Sequence, residues 1–301
     1  MMKILVTGCN GLLGNKLTER LKNHPHHQLI NTSRGIDRYI RPGGYIYENL
    51  DITNKHEVEK VISKYKPEII IHTAAMTNVD ACEQDPEGCR RLNVDAVQYL
   101  TDECRAYDIH LVHISTDFIF DGTNGLLSEE AIPNPLSIYG KSKLDSEQIV
   151  ISSGISASIL RTILVYGYAP GLSRTNIVLW AKGALEKGQP IKVVNDQFRT
   201  PTLAEDLAEA CLLAAERKAN GIFHISGKEY MSIVEIVYAV AEFWGLDASI
   251  VTPVDSITLG QPANRPPKTG FIIEKARKVL GYNPHSFKEG LAIVDQCLKN
   301  G

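Results

Sequence analysis

The sequence predicts an α/β protein built on a doubly wound parallel sheet of Rossmann type, followed by a smaller C-terminal α/β layer. Three observations predict it. A short apolar run at residues 3–7 leads at once into Gly8-Cys-Asn-Gly11-Leu-Leu-Gly14. Further strand-like runs then alternate with stretches of helical spacing, the pattern of consecutive β-α-β units. Beyond Tyr166 the pattern changes to longer helical stretches separated by short strands.

Residues 3–7 read as a buried parallel strand, because a strand covered on both faces needs no polar alternation. The turn containing Gly8, Asn10, Gly11, Leu12, Leu13 and Gly14 opens a helix whose apolar spacing runs to Leu21. Strand, glycine turn and helix in that order suit a dinucleotide pyrophosphate: the glycines permit close backbone approach, and the helix N-terminus presents N–H groups to phosphate. The spacing here is G-x-x-G-x-x-G rather than G-x-G-x-x-G. A second strand, at 28–32, ends in Ser33-Arg34, where an NAD site would place an acid for the ribose 2′-hydroxyl. A hydroxyl and a guanidinium suit a 2′-phosphate, so NADP (as NADPH) is preferred, with NADH the alternative and Asp37 the nearby carboxylate bearing on the choice. The strand at 45–48 precedes Asp51-Ile52, which either flank the adenine or introduce a helix over 54–65 capped by Thr53 or Asn54.

The strand at 68–72 leads into Thr73-Ala74-Ala75-Met76-Thr77-Asn78-Val79-Asp80, where small residues let the chain pass close to a cofactor. A single long helix is predicted over 86–107 and a strand over 110–114, ending in Ser115-Thr116-Asp117. A long loop with Gly122, Gly125, Pro133 and Pro135 then precedes Tyr139. Loops of that length in a compact fold are commonly functional or disordered. This one returns Tyr139 toward the carboxyl end of the strand bearing Thr116, the ligand-binding edge of a parallel sheet. Tyr139 and Lys143 stand four positions apart at a helix start, so both lie on one face. An ammonium there favours the phenolate and makes the tyrosine a usable acid near neutral pH.

A chain of 301 residues holds one large core or two smaller ones. Residues 221–227 look like a strand returning to the main sheet, so two domains discontinuous in sequence are expected. Residues 1–165 with about 196–226 form the NAD(P)-binding one, and about 166–195 with 227–301 form the substrate-binding one. Helices read at 174–187, 203–217, 232–244 and 286–298, with strands at 191–194 and 222–225. A net charge of -3 gives no electropositive footprint for nucleic acid. No apolar run reaches the roughly 18 residues of a membrane span. With a strand pattern at the very start, a cytoplasmic protein is expected. Six cysteines without a C-x-x-C pair read as reduced thiols, and no metal cluster is apparent.

On these residues the chain resembles the extended short-chain dehydrogenase/reductase family, and more narrowly the dTDP-4-dehydrorhamnose reductases. The resemblance lies in Gly8 to Gly14, His72-Thr-Ala-Ala-Met-Thr-Asn-Val-Asp-Ala-Cys-Glu83, Ser115-Thr-Asp-Phe-Ile-Phe-Asp-Gly122 and Tyr139-Gly-Lys-Ser-Lys143. It continues in Asp196-Gln-Phe-Arg-Thr-Pro-Thr202, Asp206-Leu-Ala208 and Arg265-Pro266. It implies an NADPH-dependent reductase of a nucleotide-linked 4-keto-deoxysugar, serving dTDP-rhamnose biosynthesis. In that reading Tyr139 protonates the substrate oxygen, Thr116 hydrogen-bonds it, and Lys143 lowers the tyrosine pKa and holds the nicotinamide ribose. Asp117 and Leu164 are then placed at the sugar, and Arg199 and Arg265 at the diphosphate. Two departures stand out: Leu164 replaces a tryptophan of those reductases, and Phe118 replaces a tyrosine. The same resemblance leaves open a nucleotide-sugar epimerase or dehydratase, or a non-catalytic NADP-binding regulatory subunit like the β subunit of methionine adenosyltransferase. A homodimer is the oligomer it implies.

Overall fold

The computed structural model describes residues 1–39, 42–172, 174–259 and 263–300. Runs such as Ile4-Leu5-Val6 and Ile69-Ile70-Ile71 are wholly excluded from solvent, as strands must be when helices cover both faces of a parallel sheet. Seven strands build that sheet: β1 (Met2–Thr7), β2 (His27–Ser33), β3 (Ile46–Asn49), β4 (Ile69–His72), β5 (His110–Thr116), β6 (Ala157–Thr162) and β7 (Gly221–Ile225). All pairings are parallel, in the spatial order β7-β6-β5-β4-β1-β2-β3. The order reverses between β1 and β4, which opens a crevice at their carboxyl ends. Gly221–Ile225 does join this sheet, pairing with β6.

Each face of the sheet carries its own core. One is filled by Leu13, Leu17 and Leu21 with Leu207, Ala208 and Cys211; the other by Val58, Val61 and Ile62 with Val97, Leu100 and Cys104. A third core gathers Val178, Leu185, Val237, Val240, Leu291 and Val294 from the three helices Ile177–Glu186, Ile233–Trp244 and Phe287–Asn300. Sequence and core do not divide at one boundary. Phe271, Ile273, Ala276, Leu280 and Tyr282, all beyond residue 227, pack into the first core rather than the third.

Three features depart from the sequence expectation. The helix expected over 86–107 is divided into Pro86–Arg90, a π-helical turn Arg91–Asp95 and Ala96–Tyr107, and a further helix, Val79–Gln84, precedes it. The π turn carries Asn93, whose side chain accepts from the Met76 N–H at 2.8 Å and donates to the Met76 carbonyl at 3.0 Å. Such turns re-aim one residue without ending a helix. Second, the loop before Tyr139 is stitched down: Leu126–Leu127 pairs in parallel with Gly270 and Phe271 in a small sheet containing Phe198–Arg199 and Met231–Ser232. Third, β6 was not anticipated. Its polar residues hid it, yet every residue of the strand is buried.

All six cysteines are free thiols. Among the described residues no helix is long and apolar enough to cross a membrane.

The helix Ile138–Ser153 is seated on the turn after β5 by Gly140, where an added Cβ would lie 2.2 Å from the Phe118 carbonyl oxygen and 3.1 Å from Pro135 Cβ. Gly140→Ala should therefore cost about 1–3 kcal/mol through overpacking. A lower urea midpoint with an unchanged slope checks this; an unchanged midpoint would show that the helix can shift freely.

Candidate active site

The crevice at the carboxyl ends of β1 and β4 is lined by backbone. Gly8 has φ +72, and a Cβ there would lie 2.8 Å from Ala74 backbone atoms; one at Gly14 would lie 2.4 Å from the Gly8 carbonyl oxygen. The helix Leu12–Leu21 starts at Gly11 without a side-chain cap, so no side chain occupies its first N–H groups. Asn15 braces the turn by donating to the carbonyls of Cys9 and Gly11 at 3.2 and 3.1 Å. Leu13 faces the core and Leu12 lies beside Gly167. Ala75 is half-buried after β4, and the Met76 backbone is gripped by Asn93. This bare, glycine-built cradle at a helix N-terminus fits the pyrophosphate of a dinucleotide.

Asn10 organises the next strand end. Its amide donates to Ser33 Oγ at 2.6 Å and the Ile36 carbonyl at 2.9 Å, and its oxygen accepts from the Arg38 N–H. Arg34 is left with its side chain 83% exposed, 3.9 Å from Asp51. Asp37 is turned away, accepting from Tyr45 Oη at 2.7 Å and from the Tyr39 N–H. Asp51 accepts from the Thr53 N–H and hydroxyl at 2.9 and 2.7 Å. Of the two caps considered, Asn54 caps the helix Lys55–Tyr65, and Ile52 is buried in the second core.

Thr116, Tyr139 and Lys143 come together where β5 ends against the helix Ile138–Ser153, and all three are buried. Ser137 caps that helix through the Gly140 N–H, and Glu83 accepts from the Ile138 N–H at 2.8 Å. Thr116 Oγ1 donates to Asp117 Oδ1 at 3.1 Å and accepts from the Phe118 N–H at 3.2 Å. Burial pushes the Tyr139 phenol well up, opposed by a hydrogen bond with Thr116. The expected lowering of that phenol by Lys143 is not met in the chain alone. Lys143 Nζ lies 3.4 Å from His113 Nε2 instead, and burial pushes the ammonium down to about 8 against the pull of Glu147 and Cys89. Phe118 sets its edge against the Tyr139 ring at 5.7 Å.

The residues expected at the substrate are differently placed. Asp117 is buried: besides Thr116 it accepts from Thr269 Oγ1 at 2.5 Å and stands 3.7 Å from Arg199 Nε. Burial pushes its carboxyl up against the pull of Arg199 and the two hydroxyls. Arg199 is 3% exposed, and its guanidinium donates to the carbonyls of Phe198, Pro267 and Pro266. Those donors are not turned to a diphosphate, and Asp117 is not turned to a sugar, because each compensates the other's burial. Arg265 is paired with Asp80 at 2.7 Å. Leu164 is half-buried with φ +40 and packs against both the first and third cores.

Four contributors escaped the sequence reading. Asn93 and Thr269 act through contacts far away in sequence. Glu147 takes the buried Arg161 guanidinium at 3.0 and 2.7 Å. Arg174 reaches across the crevice to Thr77 Oγ1 at 3.3 Å, beside a depression of about 270 Å³ lined by Tyr168, Leu172 and Leu179. The sequence reading placed Arg174 at the start of a helix over 174–187, whereas the helix begins at Ile177 and leaves Arg174 in the segment before it.

Fold and site define a chain of the extended short-chain dehydrogenase/reductase class. More narrowly, it belongs to the family described by the RmlD substrate binding domain, whose model matches residues 2–299. The chain is 33% identical over 270 residues to methionine adenosyltransferase 2 subunit beta of Pongo abelii, covering 88% of this chain and 78% of that protein. A dTDP-4-dehydrorhamnose reductase from Clostridium acetobutylicum superposes with a TM-score of 0.87 at 30% identity, over 99% of this chain and 100% of that one. The corresponding reductase of Bacillus anthracis, solved in complex with NADP, gives a TM-score of 0.84 at 28% identity, over 98% and 99% of the two chains.

Arg199→Ala should cost about 3–5 kcal/mol, since it leaves the Asp117 carboxylate buried without its cation. Chemical denaturation measures the loss. A change under about 1 kcal/mol, the range of exposed pairs, would mean that Asp117 does not depend on Arg199.

Proposed function

We propose that the chain is an NADPH-dependent reductase of a nucleotide-linked 4-keto-deoxysugar, with dTDP-4-dehydrorhamnose as its substrate. The observation that carries this reading is the convergence of buried Thr116, Tyr139 and Lys143 at the end of β5, next to the glycine cradle. The cradle, with Ser33 and Arg34 at its rim, would hold the pyrophosphate and the 2′-phosphate. NADPH supplies the hydride when bound.

The chain's own residues manage the proton. Burial keeps Tyr139 protonated, so it gives up its proton only when the carbonyl oxygen becomes an alkoxide, a far stronger base than phenolate. Thr116, itself held by Asp117 and the Phe118 N–H, fixes the position of the phenol through the hydrogen bond between them. Lys143, charged below pH of about 8, stabilises the phenolate left behind. With Arg199 and Arg265 engaged elsewhere, Arg174, which reaches Thr77 Oγ1, would meet the diphosphate. Leu164 and Phe118 would each offer an apolar surface to a deoxysugar.

The identity to methionine adenosyltransferase 2 subunit beta favours a second reading, an NADP-binding regulatory subunit. NADPH oxidation with dTDP-4-dehydro-6-deoxy-L-mannose separates the two. Stoichiometric oxidation supports the reductase. Tight NADPH binding without oxidation, together with a stable complex with a methionine adenosyltransferase catalytic subunit, supports the other.

Tyr139→Phe should lower turnover by about 10²- to 10⁴-fold while leaving NADPH binding intact; wild-type turnover in a chemistry-limited assay would remove Tyr139 from the role. Arg34→Ala should raise the KM for NADPH by about tenfold, the loss of one charge-assisted contact, and leave that for NADH unchanged. Equal effects on both cofactors would argue against a 2′-phosphate contact.

A further inference from the structure

His113 is fully buried on β5, and the proton transfer described above makes no use of it. Its Nε2 faces two groups, Lys143 Nζ at 3.4 Å and Ser146 Oγ at 3.0 Å, and one ring nitrogen cannot accept from the first while donating to the second. Ser146 alone favours a proton on Nε2, because its own proton goes to the Lys143 carbonyl at 2.7 Å and its oxygen is left to accept. If Nε2 carries the proton, it donates to Ser146 and does not accept from the Lys143 ammonium. If Nδ1 carries it, Nε2 accepts from the ammonium. Nδ1 has no partner in either case. A hydrogen bond to a buried charge outweighs one between neutral groups, so the second arrangement prevails while Lys143 is charged.

We propose that His113 is the positioning residue for Lys143: its neutral imidazole, protonated on Nδ1, accepts from the ammonium and fixes that charge one helical turn from Tyr139. The proposal rests on the reading of Lys143 as the charge that serves Tyr139. The surroundings keep His113 neutral. His72 stacks on it at 5.6 Å between ring centroids and is itself bonded to Thr7 Oγ1 at 2.7 Å. Burial first, then the charge of Lys143, hold both rings below the ordinary imidazole range. Lys143 further faces Cys89 from the segment before the π turn and Glu147 on its own helix, where Tyr139 stands one turn earlier. Arg161 on β6 neutralises Glu147 through a two-pronged contact. The full charge of Glu147 is therefore not available to Lys143, which leaves His113 as the group that fixes its direction.

The test titrates Lys143 by NMR in the ζ-¹⁵N-lysine-labelled chain without substrate, assigned with Lys143→Arg, in wild type, His113→Leu, His113→Asn and Ser146→Ala. Removing a neutral acceptor of the ammonium lowers its pKa. His113→Leu should thus move the titration about one unit below the wild-type value, equivalent to a tenfold change. His113→Asn, whose carbonyl can accept, should recover part of it, and Ser146→Ala should leave it unmoved. In the NADPH assay, the basic limb of the kcat profile should move to lower pH by the same amount in His113→Leu, with the KM for the nucleotide sugar unchanged. An unmoved Lys143 titration in both His113 variants, or a shift in Ser146→Ala as large as in His113→Leu, overturns the proposal. Should His113→Leu fail to fold, His113→Asn against Ser146→Ala decides alone. Because the titration needs no turnover, a wild type that never oxidises NADPH would defeat the reductase reading and still leave the role of His113 decided.

Discussion

The arrangement of this chain depends on burying charged and polar groups at the end of β5 without leaving any charge uncompensated. An ionised group taken out of water costs several kcal/mol unless partners replace its hydration. The helix Ile138–Ser153 brings Tyr139, Ser142, Lys143, Ser146 and Glu147 to its buried face. That face is stable only because β5 and β6 answer it: His113 meets Lys143 and Ser146, and Arg161 meets Glu147. The helix cannot be docked by apolar contact alone, so its position is fixed by hydrogen-bond geometry, which is more directional than packing. Directional docking keeps Tyr139 in register with Thr116.

The same constraint ties the smaller sheet to the main one. Asp117 stands immediately after β5, yet its partners Arg199 and Thr269 lie on two neighbouring strands of the four-stranded sheet. Arg199 in turn holds the carbonyls of Pro266 and Pro267, next to Arg265, whose guanidinium crosses to Asp80 after β4. One chain of contacts therefore runs from the hydroxyl of Thr116 through both sheets and back to the cofactor side of the crevice. Orientation of the Thr116 hydroxyl and the setting of the two layers are coupled through a single carboxylate.

This explains which parts were legible in the sequence. The strand at 3–7, the glycine turn and the Tyr139/Lys143 pair are local patterns whose meaning is contained in a few consecutive residues. The parts that were not legible depend on partners far along the chain. Ser158, Arg161 and Thr162 interrupt the apolar run of β6, but His110, Glu147 and Thr202 satisfy them, so a strand that looks half-polar is fully buried. Arg199 read as a phosphate ligand because a guanidinium in a loop usually is solvated or binds anions; carbonyls 67 and 68 residues away decide otherwise. The long helix over 86–107 had unbroken helical spacing, and the bonds of Asn93 to the Met76 backbone and to Ser142 Oγ explain the π turn within it.

Leu164 shows how the junction between the cores is fixed. A side chain at φ +40 is strained by about 1–3 kcal/mol, more for a bulky residue than for asparagine or glycine. Such strain persists only where surrounding bonds over-determine the backbone. Here Thr202 does so from both sides, its hydroxyl donating to the Ile163 carbonyl at 2.7 Å and its N–H to the Leu164 carbonyl at 3.3 Å. The short strands Val165–Tyr166 and Thr202–Leu203 then continue the pairing in parallel. The backbone at 164 is thus set by residue 202 and not by the side chain it carries. A tryptophan or a leucine can occupy the position without altering the turn, and the exchange changes only the surface offered to what lies against it. An indole there would provide a flat face for stacking, whereas the leucine provides apolar bulk shared between two cores.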